Sequence, residues 1–196
     1  MKDVARAADM ATGSIYYYYD GVDELLRHVH ALAVDRYVTL RADAIATLDD
    51  PRAQLATMIV LGVPRPMDEP LSLALYQVEI AKARNAEHAA MITELCAAQR
   101  SMYESILDQG VARGLFTLVH PAADLAEQLI SLEDGYGLGI CAGKADYTHE
   151  RTSALIMAAA EVWVGCPELA RHVDQSVMDE VTPIVRPTLA DQPGTR

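Results

Sequence analysis

The side chains able to do chemistry near the start of this chain are hydroxyls. Thr12, Ser14, Tyr16 and Tyr17 fall close together, with Lys2 as the nearest cation. Hydroxyls presented on one surface hydrogen-bond phosphate oxygens and base edges, and a nearby lysine pairs with the backbone phosphates of a duplex. No arrangement in the chain supports covalent catalysis. There is no nucleophile elbow, phosphate-binding glycine loop, metal-binding helix pair or CxxC. Glu87-His88 and His149-Glu150 are adjacent pairs with no third group to orient them. His28 and His30 are two apart, so on a helix they face different ways and do not form a metal pair. Glu133 and Asp134 are neighbouring carboxylates inside an apolar stretch, and a solvated face or a pairing between subunits suits them better than work on a ligand. The chain therefore reads as a non-enzyme with no metal and no cofactor.

The elements that must position the hydroxyls lie between residues 4 and 26. Val4, Ala5 and Ala8 put small apolar residues on one face of a short helix. Asp9-Met10-Ala11 breaks it, and Thr12-Gly13-Ser14 opens a second short helix, with Ala11 or Thr12 at the N-cap. Ile15 and Tyr19 turn toward the interior of that piece. Two short helices joined by a tight turn make a helix-turn-helix, whose second helix enters the major groove of DNA. Asp20 then caps a long third helix, with Asp23 completing an approximate capping box. Apolar residues at helical spacing, from Val22 through Tyr37 to Leu48, carry that helix to about residue 47.

Val4-Ala5, Ala8, the run Gly13-Ser14-Ile15-Tyr16 and Leu25-Leu26 resemble the DNA-binding core of the TetR family of bacterial regulators. The chain departs from the family pattern at Asp9, where a glycine is usual, at Tyr19 for phenylalanine, and at Val22 for a lysine. The family's preceding helix and basic arm are not matched, so the chain reads as N-terminally shortened, with its start assigned too late.

Length and charge bound the rest. A chain of 196 residues, half of them hydrophobic, buries a substantial core, and its richness in Ala, Leu, Ile and Met favours helices. No apolar run is long enough to cross a bilayer, and there is no signal-peptide progression. Three widely spaced cysteines, Cys96, Cys141 and Cys166, fit a reduced, cytoplasmic protein. The net charge of −12 argues against general affinity for nucleic acid. From residue 1 to 30 three basic side chains face five acidic ones, so phosphate attraction from this segment is weak.

The remaining chain reads as helices alone. One begins at Asp50-Pro51 and ends before the proline-rich loop 64–70. Others cover 71–84 and from about 85 to 113, where Gly114 ends the helix. Two more run from His120-Pro121 to about 143 and from 148 to 165. A short helical piece is possible after Cys166-Pro167, and the prolines after 181 suggest a flexible tail. The fold class is all-α: a helix-turn-helix part and start of the connecting helix over 1–46, a ligand-binding and dimerisation domain over 47–180, and a tail over 181–196.

Arg113-Gly-Leu-Phe116 and the run 132–139 (LEDGYGLG) are similar to the subgroup of choline-responsive betaine-synthesis repressors. The resemblance implies a small organic effector, bound between the connecting helix and the next three helices. Met58, Tyr76, Glu79, Met91, Met102 and Tyr103 are the candidates for lining that site. Methionines adapt to irregular apolar shapes, and a carboxylate beside tyrosines suits an organic cation. It also implies a homodimer through the last two long helices, to which Leu125, Leu129, Leu132, Ile156 and Trp163 are assigned, with Gly135, Gly137 and Gly139 allowing close helix approach. The expected function is a repressor that binds a palindromic double-stranded operator and is released by its effector, with no membrane partner. The alternative is a ligand-binding dimer that has lost stable DNA binding.

Overall fold

A computed structural model describes residues 1–65, 72–73, 75–76 and 86–176, leaving aside the side chains of Ala7, Asp35, Ala86, Glu87 and His88. The described residues form helices joined by short turns, and no strand occurs among them. The expected all-α class is the one observed.

The first short helix, α1 (Lys2–Ala7), and the second, α2 (Thr12–Tyr18), contact one another and bury Ala5 and Ile15 between them and their surroundings. A long helical segment follows. It is α3 (Val22–Val34), a π turn (Asp35–Thr39) and α4 (Leu40–Ala46) in direct succession. The sequence suggests one uninterrupted helix here, so the π turn is a departure. Its physical cause lies in two arginines. Arg36 and Arg41 are both fully buried, yet residues five apart on an α-helix point about 140° away from each other. The wider π turn, bonded i→i+5, brings them closer to one face.

α5 (Pro51–Gly62) is the central element. Asp50 caps it by accepting from the Arg52 backbone N–H at 2.9 Å, and Pro51 occupies its first turn. Its run QLATMIVLG is apolar on nearly every side, as a helix enclosed by others must be. It packs against α4, α6 (Ala86–Ala112), α7 (Ala122–Cys141) and α8 (His149–Val164). Leu55, Met58, Ile59 and Val63 meet Tyr103, Ile106 and Leu107 of α6, Leu125, Leu129 and Ile130 of α7, and Ile156, Met157 and Ala160 of α8. Thr148 caps α8, and Gly165 ends it at φ +63°, a left-handed conformation natural to glycine. The piece after Cys166-Pro167 is a short 3-10 turn (Leu169–His172).

Three expectations are corrected here. The Asp20 backbone N–H donates to the Glu24 carboxylate at 2.5 Å, so Glu24 closes the box that the sequence assigns to Asp23. The glycines of α7 admit side chains more than a neighbouring helix. A Cβ at Gly137 would lie 2.5 Å from the Tyr76 hydroxyl and one at Gly139 2.3 Å from the Tyr147 ring, while Gly135 faces open space. Leu125, Leu129 and Ile156 point into the protomer's own core and have almost no surface to offer a second subunit; Leu132 and Trp163 are half-buried at its edge. The loop 66–70, most of the helix expected over 71–84, the break at Asn85 and the tail from 181 lie outside the described residues.

Candidate functional site: a recognition helix and a cavity on one connecting helix

The recognition surface is built by the turn between α1 and α2. Asp9 takes φ +52°, a left-handed conformation that short polar side chains tolerate. The Met10 N–H then reaches back to the Ala5 carbonyl at 2.8 Å. Ile15 anchors α2, leaving Ser14, Tyr16 and Tyr17 outward, with Tyr17 82% exposed and Tyr16 52%. Thr12 is half-buried at the helix start, and Lys2 is exposed on α1. The Tyr18 ring braces Tyr17 edge-on at 5.1 Å. Tyr19 turns inward against His28 at 5.7 Å, and burial followed by the nearby Glu24 raises its phenol above the ordinary value. α2 holds no lysine or arginine, and Arg6 on α1 is tied to Asp3 at 2.6 Å. This is a hydroxyl surface with little charge.

The second site lies further along the connecting helix, at the π turn. A cavity of about 50 Å³ is lined by Tyr37 of the π turn, Gly62 of α5, Ser72, Leu75 and Tyr76, Ile92, Leu95, Cys96 and Gln99 of α6, and Glu133 and Asp134 of α7. The Tyr37 hydroxyl and Ser72 Oγ are 2.5 Å apart. The Tyr76 hydroxyl rests in the space left by Gly137. Burial, then Asp134, pushes the Tyr76 phenol strongly up, so it stays protonated and able to donate.

Behind one wall sits a buried cation. Arg41 Nη2 donates to Glu133 Oε1 at 2.8 Å, to the Met58 carbonyl at 2.9 Å and to the Tyr103 hydroxyl at 3.0 Å. Arg41 Nη1 donates to Gln99 Oε1 at 2.9 Å and to Glu133 Oε2 at 3.2 Å. Tyr103 donates to Glu133 Oε1 in a short bond. Gly62 makes the room, since a Cβ there would stand 1.9 Å from Glu133 Oε1. Burial, the largest influence, lowers the Arg41 guanidinium, but Glu133, Tyr103 and Tyr37 together outweigh it and the net direction is up. Burial pushes the Glu133 carboxyl up against the pull of Arg41. The two-toothed contact fits the ionised pair, which is the form the geometry supports.

Of the six proposed effector contacts, Tyr76 lines the cavity. Met58 is core and lends its carbonyl to Arg41. Tyr103 stands one layer behind, on Arg41 and Glu133. Met91 and Met102 are half-buried on α6 away from the lining, and Glu79 lies outside the described residues. Glu133 is buried within the protomer, not on a solvated or intersubunit face. Tyr37, Arg41 and Gln99 were not singled out from sequence. Arg41 and Glu133 do carry a signal, since both stand at core spacing in otherwise apolar rows.

No family model matches the chain. Over 120 residues it is 27% identical to the HTH-type transcriptional repressor KstR2 of Rhodococcus jostii (strain RHA1), a stretch covering 59% of this chain and 57% of that repressor. Among solved structures it resembles a TetR transcription regulator from Haloarcula marismortui, with a TM-score of 0.62, 20% identity and coverage of 83% and 84% of the two chains. The fold is the TetR fold. A transcriptional regulator from Saccharomonospora viridis in complex with choline shares it, with a TM-score of 0.66, 22% identity and coverage of 83% and 85%. In this TetR fold the π turn sits where the connecting helix passes the cavity.

Proposed function

We propose that the chain is a DNA-binding transcriptional repressor, released by a small organic effector and acting as a cytoplasmic homodimer. The observation that carries this reading is one continuous helical segment, 22–46, which leaves the helix-turn-helix at one end and supplies a cavity wall, Tyr37, from its interior. It favours treating 1–46 as the DNA-binding part and the helices from 47 as the effector-binding and dimerisation part. Similarity to KstR2 and to the TetR structures supports the same reading. Ser14, Tyr16 and Tyr17 would meet the groove, with Thr12 at its edge and Lys2 on a phosphate.

The effector class we favour is an organic cation. Tyr37 and Tyr76 offer ring faces, and Asp134 and Glu133 offer negative charge beside them. The choline complex of the Saccharomonospora viridis regulator supports this class. An apolar cavity of about 150 Å³ takes benzene, so this cavity must widen to admit such a molecule.

For the dimer, the outward residues of α7 and α8 replace those first assigned. Leu138, Leu155 and Val162 are exposed, with Gly135 and Ala158 between them, and suit a four-helix contact between subunits. Among the described residues no helix is long and apolar enough to cross a membrane.

The test is binding to the chain's own upstream intergenic DNA, by fluorescence anisotropy across a salt series. Specific binding is expected, with a slope of log K against log salt no steeper than about −4 if Lys2 and Arg27 of each protomer reach phosphates. Absence of specific binding at low salt would leave the alternative, an effector-binding dimer without DNA affinity. The acidic balance around α1–α3 is the observation that favours that alternative.

A further inference from the structure

One face of α6 lines the cavity through Ile92, Leu95, Cys96 and Gln99, which steps of three and four residues bring together on a helix. Gln99, only 9% exposed, brings a carboxamide to this face. The orientation of that amide is fixed chemically. An arginine has donors and no acceptor, so the Gln99 atom that meets Arg41 Nη1 at 2.9 Å is the carbonyl oxygen, Oε1. Arg41 is fully buried behind the wall. The other arm of the planar amide, Nε2, is turned away from Arg41 and toward the cavity that Gln99 lines. It carries two N–H donors, and among the described residues it donates to nothing.

Buried donors without partners are rare in native proteins, because leaving one unmet is costly. One held rigidly in a cavity wall points to an occupant that accepts. The charges nearby narrow the kind of acceptor. Glu133 and Asp134 line the same cavity, so an anionic oxygen would sit beside like charge. The Arg41 charge that could offset it is already met by the two-toothed contact with Glu133. The acceptor that fits is an uncharged oxygen, such as an ether, carbonyl or hydroxyl.

We propose that Gln99 selects the effector, its amide donating to an uncharged acceptor oxygen that the molecule carries beside its cationic group. Arg41 is a positioning residue in this account, since it holds the amide so that the donor, not the carbonyl, meets the ligand. An analogue without the oxygen leaves the donor unmet and binds weakly. The inference rests on the organic-cation effector proposed above.

Three probes of one shape separate charge from oxygen. N,N-dimethyl-2-methoxyethylamine has both, N,N-dimethylbutylamine has a methylene in place of the oxygen, and 1-methoxy-3-methylbutane has the oxygen without the charge. An ether accepts hydrogen bonds and donates none, so only the acceptor is tested. Each probe is titrated into the full chain and followed by proton–nitrogen NMR, wild type against Gln99→Glu. That variant keeps an acceptor for Arg41 and removes the donor, and any pull of its new carboxylate on both amines cancels in their ratio. Wild type should bind the ether amine about tenfold or more tighter than the butyl amine. The Gln99 side-chain amide signals should move with the ether amine and not with the butyl amine. Gln99→Glu should bind the two amines alike; if it does not fold, the wild-type ratio and the amide signals decide. Equal binding of both amines by wild type, or an undiminished preference in Gln99→Glu, overturns the role of Gln99 and leaves the cationic class standing. Binding of the neutral ether by wild type alone, with neither amine bound, keeps Gln99 and overturns the cationic class. No binding of any probe overturns both.

Discussion

Single side chains decide this molecule where opposite charges meet inside it. Glu133→Ala would strand the Arg41 guanidinium in an apolar core, and a buried charge left without its partner costs about 3–5 kcal/mol. Denaturant unfolding should show that loss, and Arg41→Met combined with Glu133→Leu should recover most of it. A loss under about 1 kcal/mol would mean the pair is not ionised as drawn. His149, in the first turn of α8, gives the pH dependence. Burial, with a smaller opposing pull from Glu150, lowers its imidazole below the ordinary 6.5. The folded chain then binds fewer protons than the unfolded chain below that value, so stability should fall as pH drops through about 6.5 and beneath. His149→Gln should flatten that part of a stability–pH curve, and an unaltered curve would assign the slope elsewhere. The exposure of Ser14, Tyr16 and Tyr17 was legible in the sequence because α2 has a single apolar anchor, Ile15, on its inner face. Arg41 and Glu133 were not, because a charge at core spacing means either a solvated face or a buried partner. The partner lies 92 residues away in sequence.

At the level of elements, punctuation was legible and packing was not. Asp50-Pro51, Thr148, Gly114 and Gly165 each mark a boundary by local chemistry, and the helices begin and end beside them. The π turn has no such marker, for it arises from what the neighbouring helices require of Arg36 and Arg41. Leu125, Leu129 and Ile156, expected at a subunit contact, lie buried inside the protomer for a related reason. Periodicity shows that a helix has an apolar face but not which of two partners covers it, and here α5 covers it. Two glycines test the packing. Gly62→Ala drives a methyl group into the Glu133 carboxylate and should cost about 1–3 kcal/mol. In a Val162→Glu background, without the proposed subunit contact, Gly135→Ala meets nothing within the protomer and should add about 0.5–1 kcal/mol through helix propensity. Thermal melts of the two variants should move in opposite directions; parallel shifts would contradict the placement of Glu133 against α5.

For the whole molecule, the proposed assembly through the outward rows of α7 and α8 gives the test. Val162, 70% exposed in the protomer, is the residue to change. Val162→Glu should convert a dimer to a folded monomer in sedimentation while leaving far-ultraviolet circular dichroism intact, and an unchanged sedimentation coefficient would move the contact to another face. DNA affinity should fall with it, since a monomer presents one recognition helix instead of two. The buried ion pair also bears on how the chain reaches this structure. Arg41 arrives early in the sequence and Glu133 late, and closing so long a loop is slow. Until α7 docks, an intermediate that buries α4 against α5 holds a cation in oil. Half-assembled forms are therefore disfavoured, and refolding of the helices from α4 to α8 should proceed as one kinetic step, without a populated stage in which the connecting helix is already seated.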